Sequence, residues 1–547
     1  MKYYNCLTKS ILYRNNSKQL RFQSTLNHDS IPSNTISSDN ANHAKAFEEK
    51  WNNAKPYEEI PTIKLLKFLR GFLPGGKYSK LDGVQMVMDV KDECGNISKI
   101  PGLFGRDDAV MSHNPDDFEI LFRNEGIWPV RPGSDGLAYH RSVHRADFFK
   151  GVEGILATKG EKWGSFRSMV NPVLLQPKNV RLYLNKLSQV NKEFVTRIKD
   201  IRDPHTLEVP KTFETEINRW ALESISIVAL NKKFGLLTKN HEDPEVAQLF
   251  AWLTDFFTYS VDVEFKPPIW KFVKTRSFKR LMAALDGITD LTSKYVNEAI
   301  EGLEEERRNG VPEKPESEQS VLEKLAKKDK KVAAVMAMDM LMAGVDTTTS
   351  SITAWLLCLA LNPEKQSILR EEVLKVLPHK DSEFDEAAFK NMPYLRASLK
   401  EALRVYPLFI GTARLIANDV VLSGYRIPKG TQVSIVYESL FSDDAHYRRA
   451  KEYLPERWLR STEAVTEAGE CPQDLRSSNP FIYFPFGFGA RSCVGRRIAE
   501  LEMEVAVARL IRNFYIEFNH PTDKPFKSLF LRVPNIPLTF KFIDVEK

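Results

Sequence analysis

The chemistry in this chain gathers around one cysteine. Phe484-Pro-Phe-Gly-Phe-Gly-Ala-Arg-Ser-Cys493-Val-Gly-Arg496 is an aromatic, glycine-bearing loop that delivers Cys493 to the start of a helix. Val494, Ile498, Leu501, Val505, Ala508 and Ile511 recur at steps of four and three, the period of an amphipathic helix. Free N–H groups and the positive dipole end of that helix favour a thiolate. Gly487 and Gly489 let the loop backbone approach the sulfur or the flat edge of a cofactor. A cysteine so placed serves as a nucleophile or a metal ligand. No neighbouring histidine supplies a hydrolase pair, no second cysteine lies at zinc spacing, and the Gly-Lys-Ser/Thr ending of a phosphate loop is missing.

Two further constellations lie upstream. Glu401 and Arg404 are three apart, so on one helix a carboxylate meets a guanidinium. Residues 331–361 contain no proline and few charges, and their apolar residues run around the whole circumference, which predicts a buried helix. At 1.5 Å per residue it spans about 45 Å. Within it sit Gly344, Asp346 and Thr347, residue types that an ordinary buried helix disfavours.

The elements around these residues read as mainly α. Long helical patterns fill the C-terminal two-thirds, and short strands at 420–427 and 431–437 are punctuated by Gly424 and Pro428-Lys429-Gly430. Residues 304–319 and 461–480 are polar and proline-bearing and predict exposed loops. The 547 residues are 42% hydrophobic and 27% charged, enough apolar mass for a substantial core. Five scattered cysteines (Cys6, Cys94, Cys358, Cys471, Cys493) exclude a disulfide framework. No run of roughly 18 uninterrupted apolar residues marks a membrane span.

The formal charge of +6 is mostly local. Residues 1–23 hold Lys2, Lys9, Arg14, Lys18 and Arg21 and no acidic residue, so the remainder is nearly neutral. Basic, hydroxyl-rich and acid-free is the composition of a mitochondrial presequence, with Arg21 shortly before a processing site. The expected organisation is a presequence at 1–23, a polar linker at 24–43 and one large folded domain at 44–547.

Phe486-x-x-Gly489-x-Arg491-x-Cys493-x-Gly495 resembles the haem-binding loop of the cytochromes P450. The resemblance implies a mainly α haem-thiolate domain with small β-sheets, haem b as cofactor and Cys493 as the axial iron ligand. Phe486 and Arg491 belong to that loop. Trp163 and Arg167 match a propionate-contacting helix, and Arg414 another propionate position. Glu401 and Arg404, with Arg457 of Leu454-Pro-Glu-Arg-Trp458, match a structural triad. Ala343-Gly-Val-Asp-Thr347 matches the oxygen-binding kink, where Gly344 leaves room for dioxygen and Asp346 and Thr347 deliver protons.

Arg396, Lys400, Arg496 and Arg497 match positions that dock a mitochondrial [2Fe-2S] ferredoxin, itself reduced by an NADPH-dependent reductase. The implied location is the matrix side of the inner membrane, with peripheral contact through the aromatic stretch 250–270. Stretches 106–150, 250–270 and 408–412 are implied to line the substrate site. Several runs, including Leu341-Met-Ala-Gly-Val-Asp-Thr-Thr348, resemble the insect mitochondrial enzymes of xenobiotic and insecticide metabolism. The alternatives are an ecdysteroid hydroxylase and, in another class, a non-catalytic haem-thiolate sensor. The Asp346–Thr347 relay and the basic docking face argue against the sensor. Nothing points to nucleic acid.

Overall fold

Apolar residues on all sides leave a helix one stable place, the middle of the protein. A computed structural model describes residues 45–545, apart from 80, 103–104, 239–242, 385, 461–471 and 529. The expected presequence and linker, and most of the expected loop at 461–480, lie outside the described residues.

The helices that position the site are α1 (Pro115–Arg123), α2 (Gly160–Leu174), α3 (Leu184–Ile201), α4 (Phe213–Leu230), α5 (Pro244–Glu264), α6 (Arg276–Arg308), α7 (Lys330–Ala360), α8 (Pro393–Val405) and α9 (Arg496–Asn513). The central helix is α7, within one residue of its expected bounds at each end. The Asp329 carboxylate caps it by accepting from Val332 N–H at 2.9 Å. Beyond it, Asn362-Pro363 starts the next helix. Its flanks pack on α4, α6 and α8. Each fully buried Leu, Met or Ile along it contributes roughly 1.5–3 kcal/mol. It is long and apolar enough to cross a membrane, but most of it is buried inside the fold.

The expected strands form a hairpin and part of a sheet. β4 (Val420–Leu422) and β5 (Tyr425–Ile427) pair antiparallel across Ser423-Gly424, both at positive φ. β1 (Ile97–Ile100), β2 (Ala109–Ser112), β6 (Gln432–Val436) and β3 (Gly411–Leu415) make a four-stranded sheet in the order β1-β2-β6-β3. β2 runs parallel to β6 and β3 antiparallel to it, with Arg414 opposite Val433. Two further antiparallel pairs lie near the C-terminus: β7 (Phe514–Glu517) with β10 (Lys541–Asp544), and β8 (Phe526–Ser528) with β9 (Arg532–Pro534).

Two boundaries differ from expectation. Residues 304–308, expected in a loop, continue α6, which stops only where Gly310 takes φ +71° and Pro312 follows. The helix after the cysteine begins at Arg496, with Gly495 as its N-cap, two residues later than the apolar period suggests.

Candidate functional site

Cys493 lies just ahead of the first turn of α9. Its N–H donates to Phe486 O at 2.8 Å, and Gly487 N–H donates to Phe484 O at 2.8 Å, so the loop closes on itself behind the sulfur. Gly487 and Gly489 take φ of +75° and +70°, which a side chain would strain. Gly489 has a second reason to be glycine, because a Cβ there would stand 2.4 Å from Glu125 Oε1. The thiol is solvent-accessible, yet the surrounding protein is dense enough that burial pushes its pKa up. The Gly495 amide and then Arg167, Arg131 and Arg496 pull the other way, toward thiolate.

Arginines converge beside this loop. Arg491 donates from Nε to Pro129 O at 2.6 Å and lies 3.8 Å from the centre of the Trp163 ring. Arg414, on β3, pairs with Glu125 at 2.6 Å and reaches Phe488 O at 3.3 Å. Arg167 and Trp163 sit one turn apart on α2, both buried. Arg131 joins them, a loop residue that no spacing in the sequence singles out. Burial, then Arg131, Arg414 and Arg167, push the Arg491 pKa down to about 9. Arg167 and Arg131 are held low too, by burial first and by an arginine neighbour, while Cys493 opposes. Four guanidiniums and one close carboxylate, Glu125, make a surplus of positive charge, and Arg167 Nε is buried with no partner. Such a surplus needs anions.

The triad residues meet in full burial. Arg404 donates to Glu401 at 3.0 and 2.8 Å, and Arg457 Nε donates to Glu401 Oε1 at 2.9 Å. Leu454 N–H and Trp458 Nε1 complete the carboxylate at 3.0 and 2.9 Å. Burial raises the Glu401 pKa, but Arg404 and Arg457 outweigh it and hold the carboxyl low. The guanidiniums spend their remaining donors on backbone carbonyls, Arg404 on Ala450 and Glu452 and Arg457 on Arg449 and Leu475. The triad is thus a staple from α8 to the chain that precedes the cysteine loop.

On α7, Thr347 Oγ1 donates to Ala343 O at 2.6 Å, a back-bond that favours a local bend. Asp346 Oδ2 is buried without a partner. Burial, with a contribution from Glu214, raises the Asp346 pKa to about 7. The missing side chain of Gly344 lets α4 close in, since a Cβ would lie 2.9 Å from Ile225 Cγ1.

The four candidate docking residues are not equivalent. Lys400, Arg496 and Arg497 are exposed, and Arg496 lies within electrostatic range of Lys400. Arg496 and Arg497 share Glu500 at 2.9 and 3.8 Å. Arg396, half-buried, instead donates to the carbonyls of Phe389 and Lys390, with Glu504 at 3.9 Å. In the aromatic stretch, Leu253, Phe257 and Trp270 are buried, whereas Phe265 and Ile269 are exposed and, just beyond it, so are Phe272 and Val273.

A predominantly helical frame that holds a glycine-cradled cysteine beside an arginine cluster is the architecture of a haem-thiolate enzyme. The chain belongs to the cytochrome P450 family, whose model matches residues 76–542. It is 60% identical over 507 residues to cytochrome P450 CYP12A2 of Musca domestica, covering 93% of this chain and 94% of the relative. Probable mitochondrial cytochrome P450 12a5 of Drosophila melanogaster is 57% identical over 501 residues, 91% of this chain and 93% of the relative. Probable mitochondrial cytochrome P450 12b2 of the same species is 41% identical over 541 residues, 98% of each chain. The chain is accordingly a cytochrome P450 monooxygenase of the mitochondrial group, and its cofactor is haem with cysteine thiolate ligation. The residues present fit that group: a cysteine whose anion the Gly495 amide and nearby guanidiniums favour against burial, and a cationic cluster with an orphaned donor that suits two carboxylates.

Proposed function

We propose that this enzyme hydroxylates apolar small molecules, chiefly foreign compounds, with dioxygen and with electrons from a mitochondrial [2Fe-2S] ferredoxin. The observation that carries the reading is Cys493 at the mouth of α9, within electrostatic reach of Arg131 and Arg167.

Haem, when bound, supplies an iron that activates dioxygen, and a thiolate ligand favours cleavage of the O–O bond. Cys493 would be that ligand, with the amides of the loop and of Gly495 holding its charge. Arg131, Arg167, Arg414 and Arg491 would take the two carboxylates, with Trp163 as the platform under Arg491. The Glu401–Arg404–Arg457 staple keeps the cysteine loop in place and touches no substrate.

Asp346 takes up and releases protons near neutral pH, because burial places its pKa at about 7. Thr347 passes them on through its hydroxyl, which Ala343 O orients. Lys400, Arg496 and Arg497 form the face that receives an acidic ferredoxin, reduced by an NADPH-dependent reductase. Phe265, Ile269, Phe272 and Val273, interleaved with Lys266 and Lys271, rest on the matrix side of the inner membrane.

The test is a reduced, CO-bound absorbance spectrum of the protein and of Cys493→Ser. The wild type shows the red-shifted thiolate band and the variant loses it; a wild type without that band would falsify the assignment of Cys493. Reconstitution with ferredoxin, reductase and NADPH against foreign apolar compounds and an ecdysteroid then separates detoxification from hormone synthesis. Turnover confined to the steroid overturns the foreign-compound reading.

A further inference from the structure

Between α1 and α2 the chain is broken into short pieces: helices Asp135–Tyr139, Ala146–Phe149 and Gly154–Ala157, and a π-turn at His140–His144. Lys150, Gly151 and Gly154 all take positive φ. Such a segment makes few regular backbone bonds of its own, and neighbouring helices hold it by acidic side chains. Glu264, at the end of α5, accepts from Gly136 N–H at 2.8 Å. Asp286 on α6 takes His140 and His144, each at 3.0 Å, and Asp290 takes Arg145 at 2.8 Å.

The deepest grip comes from α7. Asp339 forms an ion pair with Arg141 at 2.6 Å, both buried, and accepts Ile155 N–H at 3.0 Å. Arg141 also donates to Glu153 O at 2.8 Å, and Lys331 donates to Phe148 O at 2.6 Å. Gly154 is enclosed by the pair, since a Cβ would stand 2.5 Å from both Arg141 Nη1 and Asp339 Oδ2.

Stability alone is a poor account of this pair. Desolvating two charges offsets most of their attraction, and apolar residues of similar volume often serve the fold as well. What an ion pair adds is a fixed register. Asp339 lies seven residues before Asp346, two turns along the same face of α7 and about 10 Å away. Arg141 belongs to the stretch 106–150, which the family resemblance implies lines the substrate site.

We propose that Arg141 and Asp339 are positioning residues. Their pair ties the placement of 135–157 around substrate to the turn of α7 that carries Gly344, Asp346 and Thr347. This rests on the monooxygenase reading and adds to it a route by which substrate seating sets the proton-delivering turn.

The experiment uses the haem-loaded full chain and the double variant Arg141→Met/Asp339→Leu, which removes both charges together. Two readouts apply. Amide exchange at Val345–Thr347 should quicken at least roughly fivefold, while Ser351–Cys358, farther along α7, stays as in the wild type. With ferredoxin, reductase and 7-ethoxycoumarin as the apolar probe, peroxide released per NADPH should rise roughly fivefold. The concentration of 7-ethoxycoumarin giving half of its absorbance shift should change less than twofold. Arg141→Lys, which keeps the charge, should retain most of the wild-type coupling, and it carries the same comparison with Asp339→Leu if the double variant fails to hold haem. Wild-type exchange at Val345–Thr347 together with wild-type peroxide release overturns the proposal, as does equal quickening along all of α7. A wild type with neither thiolate spectrum nor turnover is a different failure, that of the functional reading itself.

Discussion

The Arg491 guanidinium lies 3.8 Å from the centre of the Trp163 ring, joining the cysteine loop to α2. Indole supports a cation on its face while leaving the guanidinium edge free to donate. Arg491 is already disfavoured as a cation by burial and by Arg131, Arg414 and Arg167, so it gains most when anions arrive. Arg491→Leu should therefore fold but hold haem weakly. The measurement is the ratio of haem to protein absorbance after gel filtration, expected to fall severalfold, with Trp163→Ala intermediate. Full haem occupancy in Arg491→Leu would remove the arginine cluster from cofactor binding.

Glu401 is fully buried between two guanidiniums that hold its pKa low. Removing its charge strands both cations, so Glu401→Gln should cost about 3–5 kcal/mol, enough to prevent haem incorporation at 37 °C. Because the folded pKa is depressed, the contribution is present above the unfolded carboxyl's pKa. It is lost only as pH falls through the folded value. Wild type should consequently lose stability more steeply than Glu401→Gln as pH drops below about 4.5, which thermal melts across acidic buffers would show.

Asp346 behaves in the opposite sense. Its folded pKa, about 7, lies above that of the unfolded chain, so its ionisation opposes folding from the unfolded pKa upward, fully above 7. Asp346→Asn should raise the Tm at pH 8 and do little at pH 4. The same change should slow turnover roughly 100-fold and flatten the pH–rate profile around 7. A profile unchanged in shape would place the proton donor elsewhere.

Gly344 is held to glycine by Ile225, whose Cγ1 would stand 2.9 Å from a Cβ. In Gly344→Ala, overpacking of about 1–3 kcal/mol competes with the roughly 1 kcal/mol that alanine gains in a helix. The net effect should be mild destabilisation, relieved by Ile225→Ala, which removes that Cγ1. A double-mutant cycle measures the coupling, and strict additivity would show that the two side chains do not meet.

The docking face divides by geometry. Lys400→Glu with Arg497→Glu should raise the ferredoxin concentration needed for half-maximal turnover by tenfold or more and flatten its salt dependence. Arg396→Glu should instead lower the Tm, because its guanidinium is engaged with Phe389 and Lys390 carbonyls. If Arg396→Glu alone reproduces the ferredoxin effect without a stability change, its bonds to those carbonyls are not what matters.

Much of this protein was legible along the chain because its signals are local. The loop that ends in Cys493, the apolar circumference of α7, the Glu401–Arg404 spacing and the turn at Gly424 each act within a few residues. Short-range spacing reports such features directly, and α7 begins and ends within one residue of where its pattern places it. Other features needed the folded chain. Arg131 and Glu125 join the arginine cluster only because β3 and the cysteine loop pack against the end of α1 and the turn after it. Arg396 and Lys400 share one helical stripe, yet the carbonyls of Phe389 and Lys390 engage the first and leave the second exposed. Arg141 and Asp339 are 198 positions apart in the chain and meet at 2.6 Å. A charge in a sequence carries no mark of its partner. Desolvation and packing choose that partner, and both exist only once distant segments have come together.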